Sequence, residues 1–554
     1  MSMLARKTWS VPGQTARVAR AIYPDGNQVM RMLDVLHLAV ADSDYADLFP
    51  ARGQPAESPA RLALVTLLQF MEGLTDRQAA EAVRTRIDWK YLLGLDLTDP
   101  GFDHTVLSEF RTRLLSNNAE RRLFDAIIEL ARSRGLLHAG GRQRSDSTHI
   151  LGKVRTLTRY ELVAETLRHA LDTLSEAAPS WLRGHITPDW VDRYGLRASE
   201  FRMPKGAVRR KEWIATLGTD GMSLLAALNE QDAPVELRSL PPLETLRQVW
   251  VQNFAVEWAG DTAKVTWRAW DNIPVAGDCI ASPHDVEVRA CSKGSMDWVG
   301  FRLHLTETCD KETPNLITNV ETTPATVTDG EMTPVIHATL QQRSLLPAIH
   351  IADTAYVDSA LLVQSRDVYH VNLIGPSRRD NLWQAKEADG FALSDFKIDF
   401  VNQQAICPAG KISQNWKPAL SQYGKQVIRV RWSRNDCCHC EVAARCTRSV
   451  PPQRQITVLP QARYEALRER RELEKTSAFA DEYSLRAGVE GTIFEAVRVH
   501  GLRQTRYVGT AKTHLAHLMT AAAVNVQRLL RWLAGEPKAQ VTQTPFQKLY
   551  KTAA

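Results

Sequence analysis

The sequence predicts a multi-domain α/β protein. A mixed sheet with flanking helices follows an all-α amino-terminal region and is interrupted by two insertions, one helical and one cysteine-rich of zinc type. Three observations lead there. At 554 residues and about 150 residues per domain, the chain holds roughly three or four structural units. Val299, Phe301, Leu303 and Leu305 alternate with Gly300, Arg302, His304 and Thr306, the period-2 signature of a half-buried strand. Five of the eight cysteines fall between Cys407 and Cys446, a clustering that suits a metal better than a disulfide framework.

Helical texture begins at Ser58-Pro59, a capping residue before a first-turn proline. Thr75 with Gln78 reads as a capping box for a helix carrying Ala79, Val83 and Ile87 on one face. Asp103 or Thr105 caps a third helix, with Val106, Leu107, Phe110 and Leu114 inward and Arg111 and Arg113 outward. That pattern fits a helix-turn-helix reading element and equally a plain bundle with a solvated basic face. Residues 1–139 form this helical domain. Residues 140–155 hold the first strand, GRQRSDSTHIL, with Asp146 in its middle.

Residues 156–290 are the helical insertion, rich in Trp and Arg and including the basic run Phe201 to Trp213. Residues 291–375 carry the alternating strand, a second strand from Leu316 to Val320 and a helix from about Thr333 to Gln342. There follow a strand ending on Asp353, a helix opening near Asp358 and a strand from Val371 to Ile374. Residues 376–465 are the cysteine-rich insertion. Within 466–534, Tyr483, Arg486, Glu490, Ile493 and Val497 step by three and four along one helix face. A last helix, from about Ala511 to Leu533, closes the core with Leu515, Leu518, Ala522, Val526 and Leu529. Residues 535–554 read as a polar tail.

A hydrophobic share of 44% with 24% charged residues is that of a folded globular protein and excludes a disordered chain. No run approaches the ~18 apolar residues of a membrane span, and Met1 to Ser10 lacks an apolar signal segment. A cytoplasmic protein without a membrane partner is expected. The net charge of +6 leaves room for a local basic patch.

Three acids stand where structural logic would not put them: Asp146 in mid-strand, Asp353 at a strand's end and Glu490 on a helix's inner stripe. Carboxylates out of water need a cation or a metal, and a pair of divalent ions needs several hard oxygen ligands. Gly488 and Gly491 flank Glu490 and weaken the helix by about 1 kcal/mol each, as a close backbone approach to a sheet or ligand would require. Arg486, one turn earlier, can pair with Glu490 or hold a phosphate. Among other acids, Asp358 reads as a helix cap, Asp329 as a turn residue and Glu495 as a solvated neighbour of Arg498. Asp285 ranks fourth as a candidate.

These segments together resemble an insertion-sequence transposase of the DDE type. The resemblance rests on SPARLALVTLLQFMEGLTDRQAAEAV, DWKYLLGL and DHTVLSEFRTRL, on RSDSTHI, on WVGFRLHLTETCD with LITNVETTPATVTDG, and on HIADTAYVDS. Its most specific block is YSLRAGVEGTIFEAVRVHGLRQTRYVGTAKTHLAHLMTAAAVNVQRL. It implies a ribonuclease-H-like catalytic domain, a DNA-binding or dimerising helical domain at residues 1–139, and Asp146, Asp353 and Glu490 as the catalytic acids. It also implies two Mg²⁺ or Mn²⁺ ions held by those acids, double-stranded DNA as partner (transposon ends and target), a homodimer and a nucleoid-associated bacterial protein. The family's Tyr, Arg, Glu and Lys signature fits Tyr483, Arg486 and Glu490; Val497 stands at the lysine's place, so phosphate contacts fall to Arg498, Arg503, Arg506 and Lys512. The activity implied is metal-dependent cleavage and strand transfer. A nuclease without strand transfer and a non-catalytic, domesticated DNA-binding protein are the alternatives.

In CPAGK and NDCCHCEVAARC, the spacing of Cys437, Cys440 and Cys446 with Cys407 upstream resembles a zinc knuckle, so a structural Zn²⁺ on these four thiolates is expected. Cys438 or His439 could replace a ligand. Cys279, Cys291 and Cys309 are expected in ordinary packing.

Overall fold

The computed structural model describes residues 10–36, 39–50, 52–196, 204–259 and 262–538. The first nine residues, Phe201 to Met203 of the basic run and 539–554 of the tail lie outside the described residues.

Helix α1 (Pro59–Glu72) begins where Ser58 Oγ accepts the Arg61 N–H and ends on Gly73, whose φ of 69° is the left-handed conformation a glycine cap supplies. Helix α2 (Asp76–Thr85) carries the expected Thr75–Gln78 capping box, but it ends at Thr85; Ile87 opens a separate short helix. In α3 (Thr105–Ser116), Leu107, Phe110 and Leu114 are buried as expected. Arg111 is also buried, contrary to expectation, because Asp76 in the first turn of α2 faces it and pairs with it at 2.6 Å. Arg113 reaches the Leu48 carbonyl at 2.8 Å. A helix whose arginines are spent on its own bundle offers no outward basic reading face, so the plain-bundle reading is the one these contacts favour.

The central mixed sheet is built from β1 (Arg142–Leu151), β2 (Arg289–Lys293), β3 (Met296–Thr308), β4 (Ile317–Pro324), β5 (Ile349–Ile351) and β6 (Asn372–Ile374). Its order is β2-β3-β1-β5-β6, with β4 on β3. Pairing is antiparallel from β1 through β3 to β4 and parallel from β1 through β5 to β6. Strand β3 was expected to be half-buried and is buried on both faces, since helices cover both sides of the sheet. Its polar residues therefore have partners: Arg302 reaches Asp329 at 3.2 Å, and His304 Nδ1 lies 2.7 Å from the Tyr356 hydroxyl. Asp329 is accordingly no turn residue but a buried first-turn residue of α4 (Asp329–Gln342).

Helix α5 (Ser359–Tyr369) starts as expected, with Asp358 accepting the Ala360 and Leu361 N–H groups. After the cysteine-rich segment come α6 (Ser477–Ser484), α7 (Ala487–Arg498) and α8 (Thr510–Leu533). Helix α8 buries Leu515, Leu518, Ala522, Val526 and Leu529, and Asn525 satisfies both the N–H and the carbonyl of Ile317 at 2.8 Å. Through α8 the amino-terminal helices and the sheet share one apolar core, which includes Leu67, Leu107, Phe301, Val320, Ile336 and Leu518.

The helical insertion has its own core around Leu167, Leu246 and Trp250. It also contains a hairpin, Phe254–Ala259 with Thr262–Trp267, that periodicity did not reveal. The cysteine-rich segment has a third core around Phe396, Val430, Trp432 and Ile456. No helix among the described residues is long and apolar enough to cross a membrane.

Candidate active site

Parallel pairing of β1 with β5 sets Arg144 opposite Ile351. Asp146 and Asp353 each follow by two residues, so the same register carries them to the same level of the sheet. Asp353 caps a short turn, its carboxylate accepting the Ala355 N–H at 2.8 Å. Asp146 is half-buried and accepts the Ser147 N–H at 2.8 Å. Its other oxygen receives Arg486 Nη1, also at 2.8 Å, and Arg486 Nη2 donates to Glu490. Tyr483, on the last turn of α6, stacks on Phe479 with ring centroids 5.9 Å apart.

The electrostatics tie these groups together. Burial, with the Asp353 charge adding to it, holds the Asp146 carboxyl above the usual range, against the Ser147 N–H and Arg486. Burial likewise raises the Tyr483 phenol, opposed by Arg486 and reinforced by Asp353 and Asp146. Tyr356, buried beneath, is held well above its ordinary value by burial first and then by Asp329, Asp146 and Asp353. Two aspartates, a glutamate, an arginine and a tyrosine thus feel one another across three separate stretches of chain.

A buried ion network fixes this arrangement, and sequence reasoning missed it. Glu307 of β3 is fully buried; its carboxylate receives Arg144 Nε at 2.7 Å, Arg528 Nη1 at 2.8 Å and the Thr492 hydroxyl at 2.6 Å. Burial alone would raise the Glu307 carboxyl, yet Arg528 and Arg144 hold it below the ordinary range. Arg144 also donates to the Leu485 carbonyl at 2.5 Å, and Arg528 reaches Glu495 at 2.9 Å. Together these bonds clamp α7, which carries Glu490, onto β1, β3 and α8. The available signal was Arg144, two residues before Asp146 and therefore on the same face of the strand, and a lone glutamate in an apolar strand. The close approach foreseen at Gly488 is real, since a Cβ there would overlap the Arg144 guanidinium; at Gly491 it is not, because nothing lies within 4 Å.

Several expectations need correction. Glu490 does not lie on the inner stripe: its side chain is 58% exposed, and α7 buries Val489, Thr492, Ile493 and Ala496 instead. The buried face of α7 runs through Val489, Thr492, Ile493 and Ala496, so Glu490 falls at its edge, where it meets Arg486 one turn earlier. Asp285 is a structural cap, accepting the Gly509 N–H at 3.0 Å ahead of α8. Glu495 pairs with Arg528, not Arg498.

Of the expected DNA contacts, Arg503 donates to the Thr148 hydroxyl at 3.0 Å and to the His149 carbonyl at 2.5 Å, while Arg506 holds the Leu74 and Gly73 carbonyls at 2.8 and 2.9 Å. Both join parts of the protein to one another. Arg498 is exposed over the Phe494 ring, and Lys512 is exposed in a groove with Lys153, Arg111 and Tyr507.

Cys407, Cys437, Cys440 and Cys446 line one cavity beside Trp432 and Arg454. Burial raises the Cys437 thiol, and pushes the Cys446 thiol up to about 11. Cys438 is exposed, as is His439, and neither lines that cavity. Among the described residues, one group of three potential ligands lies within 4.8 Å of one another: His185, Glu230 and Asp232, in the helical insertion. The four cysteines and the three site carboxylates stand wider apart. Cys309 is buried, while Cys279 and Cys291 are half-buried.

A mixed sheet that brings two aspartates together beneath a helix-borne glutamate defines an α/β protein with an acidic, arginine-braced site. Residues 406–530 match the family model described as a transposase DDE domain, and residues 17–113 match a transposase domain, DUF772. These matches support the assignment of the chain to the DDE-type insertion-sequence transposases. No curated protein matches it. The first match takes in Glu490 and the cysteines but neither aspartate.

Proposed function

We propose that this transposase cuts DNA at the ends of its insertion sequence and joins those ends to target DNA, with Asp146, Asp353 and Glu490 as the catalytic acids. The observation that carries the reading is that Arg486 donates to both Asp146 and Glu490, while the Asp353 charge, at the same level of the neighbouring strand, acts on the Asp146 carboxyl. The sheet order, with antiparallel strands continuing into parallel ones, supports a ribonuclease-H-like catalytic domain.

The donor set fits divalent metal. Three carboxylates offer hard oxygen ligands of the kind Mg²⁺ or Mn²⁺ takes, and the site already attracts a cation in Arg486. Bound there, two such ions would lower the pKa of the attacking water or 3′-hydroxyl and neutralise charge on the leaving oxygen. Asp146 and Asp353, fixed by β1 and by the Ala355 cap, form the rigid half of the site. Glu490, exposed on the first turn of α7, forms the adjustable half. Arg486 is placed to exchange its carboxylate partners for a DNA phosphate, with Tyr483 beside it; Arg498 and Lys512, both exposed, are the further phosphate contacts. Arg503 and Arg506 act by holding β1 and the α1–α2 turn in place.

The four cysteines are the donors for a structural Zn²⁺. Their convergence on one cavity supports this, and closing a tetrahedral site requires the sulfurs to draw together. We further assign a homodimer acting on duplex DNA in the cytoplasm.

The test is Mg²⁺-dependent nicking and joining of duplexes carrying the element's own termini. Wild type should perform both, and Asp146→Asn and Glu490→Gln should each slow them by about a thousandfold or more. Variants that cut as fast as wild type would remove these residues from the site. Cutting without joining would favour a nuclease.

A further inference from the structure

The cysteine-rich segment carries charge that the candidate active site does not use. Between residues 376 and 460, thirteen Lys or Arg stand against seven Asp or Glu, so this segment alone accounts for the +6 of the whole chain. Its three-stranded antiparallel sheet consists of β7 (Asn415–Leu420), β8 (Gln426–Arg431) and β9 (Gln455–Val458). One face packs inward through Trp416, Ile428, Val430, Ile456 and Val458.

The opposite face presents Lys417, Arg429 and Arg431, all exposed, beside Gln455 and Thr457. No acidic residue occurs in any of the three strands. Lys417 stands directly across from Arg429, and like charges so placed destabilise a sheet. Among the described residues, the Arg429 side chain finds only the Leu420 carbonyl, at 3.3 Å, and that of Arg431 only the Gln455 side chain, at 2.8 Å. None of the three enters an ion pair among the described residues.

We infer that this face docks the phosphate backbone of duplex DNA, making the cysteine-rich segment a second DNA-holding module. The inference rests on the proposed action on DNA. Continuity with the candidate site supports it: Lys425, in the turn joining β7 to β8, lies 3.5 Å from Asp358, which caps the helix beginning six residues after Asp353. A duplex lying over the acidic site can therefore extend onto this sheet. Phosphates supply the negative charge that would relieve the Lys417–Arg429 repulsion, and two guanidiniums with an ammonium along a flat strand face make contacts that read shape and charge, not base sequence.

Full-length protein is titrated with a ~30-base-pair duplex of arbitrary sequence in metal-free buffer over a range of salt. The triple variant K417Q/R429Q/R431Q should bind at least about tenfold more weakly at roughly 100 mM salt, with a log–log salt slope shallower by about 2 to 3. Its melting temperature should equal or exceed that of wild type, because the repulsion is gone. Equal affinity and slope for wild type and variant would overturn the inference while leaving DNA binding intact. Failure of wild type itself to bind any duplex would overturn the proposed action on DNA. Loss of binding to poly-glutamate, but not to duplex, would assign the face to an acidic protein and overturn it as well.

Discussion

Arg486 donates to Asp146 at 2.8 Å across 340 positions of sequence and, through its second nitrogen, to Glu490 one turn ahead. One guanidinium thus joins an acid fixed in a strand to an acid on the first turn of a helix. This pairing offsets the repulsion of carboxylates gathered in a half-buried place. Replacing Arg486 with Gln should leave them uncompensated: the variant should melt at lower temperature than wild type without metal, and added Mg²⁺ should narrow the difference. An unchanged melting temperature without metal would show that the pairing contributes nothing to the resting fold.

The two glycines before and after Glu490 should respond oppositely. Gly488→Ala forces a methyl into the Arg144 guanidinium and should cost about 1–3 kcal/mol. Gly491→Ala meets open space and should stabilise α7 by up to about 1 kcal/mol. Chemical denaturation of both variants measures this, and equal effects at the two positions would contradict the close approach.

Glu307→Gln removes the anion shared by Arg144 and Arg528, leaving Arg144 buried without a counter-charge among the described residues and Arg528 with Glu495 alone. Breaking a buried pair of this kind costs about 3–5 kcal/mol. Cleavage should fall with it even at temperatures where the variant stays folded, because α7 loses its anchor to β3. A folded variant with full cleavage activity would separate the network from the site.

Acid should destabilise the fold well above the carboxylate range. Burial lowers His304, His337 and His514 to about 4 and His517 to about 3. The unfolded chain takes protons at about 6.5 that the native state refuses, so this stability is fully present above about pH 6.5 and is lost as pH falls towards 4. Each histidine contributes up to about 1.4 kcal/mol per pH unit over that window. Urea midpoints at about pH 7 and 5 should differ strongly, and His517→Gln should flatten the dependence. A pH-independent midpoint would be inconsistent with these neutral buried rings.

Chelation should loosen the cysteine-rich segment alone. With Zn²⁺ on its four thiolates, a strong chelator should expose the Trp432 fluorescence and release roughly one metal per chain, and Cys437→Ser should do the same without chelator. Protein purified with no zinc and indifferent to chelator would leave four free thiols.

Capping chemistry and alternation are local, so Ser58, Thr75, Asp358 and the α8 stripe were legible from residue order: each depends on neighbours within a few positions. Asp146 stood out in the same local way, as a carboxylate in mid-strand among polar neighbours, and Asp353 as one closing an apolar strand. Glu490 was singled out on a stripe it does not occupy, because the core-facing side of α7 is set by its packing on β1, β3 and α8 and runs through Val489, Thr492, Ile493 and Ala496. Arg111, Glu307 and Asp329 were misread or missed because their partners, Asp76, Arg528 and Arg302, come from other elements. Residue order specifies which groups need compensation; which distant group supplies it depends on strand register and helix packing, since burial and Coulomb energy follow distance in space and not separation along the chain.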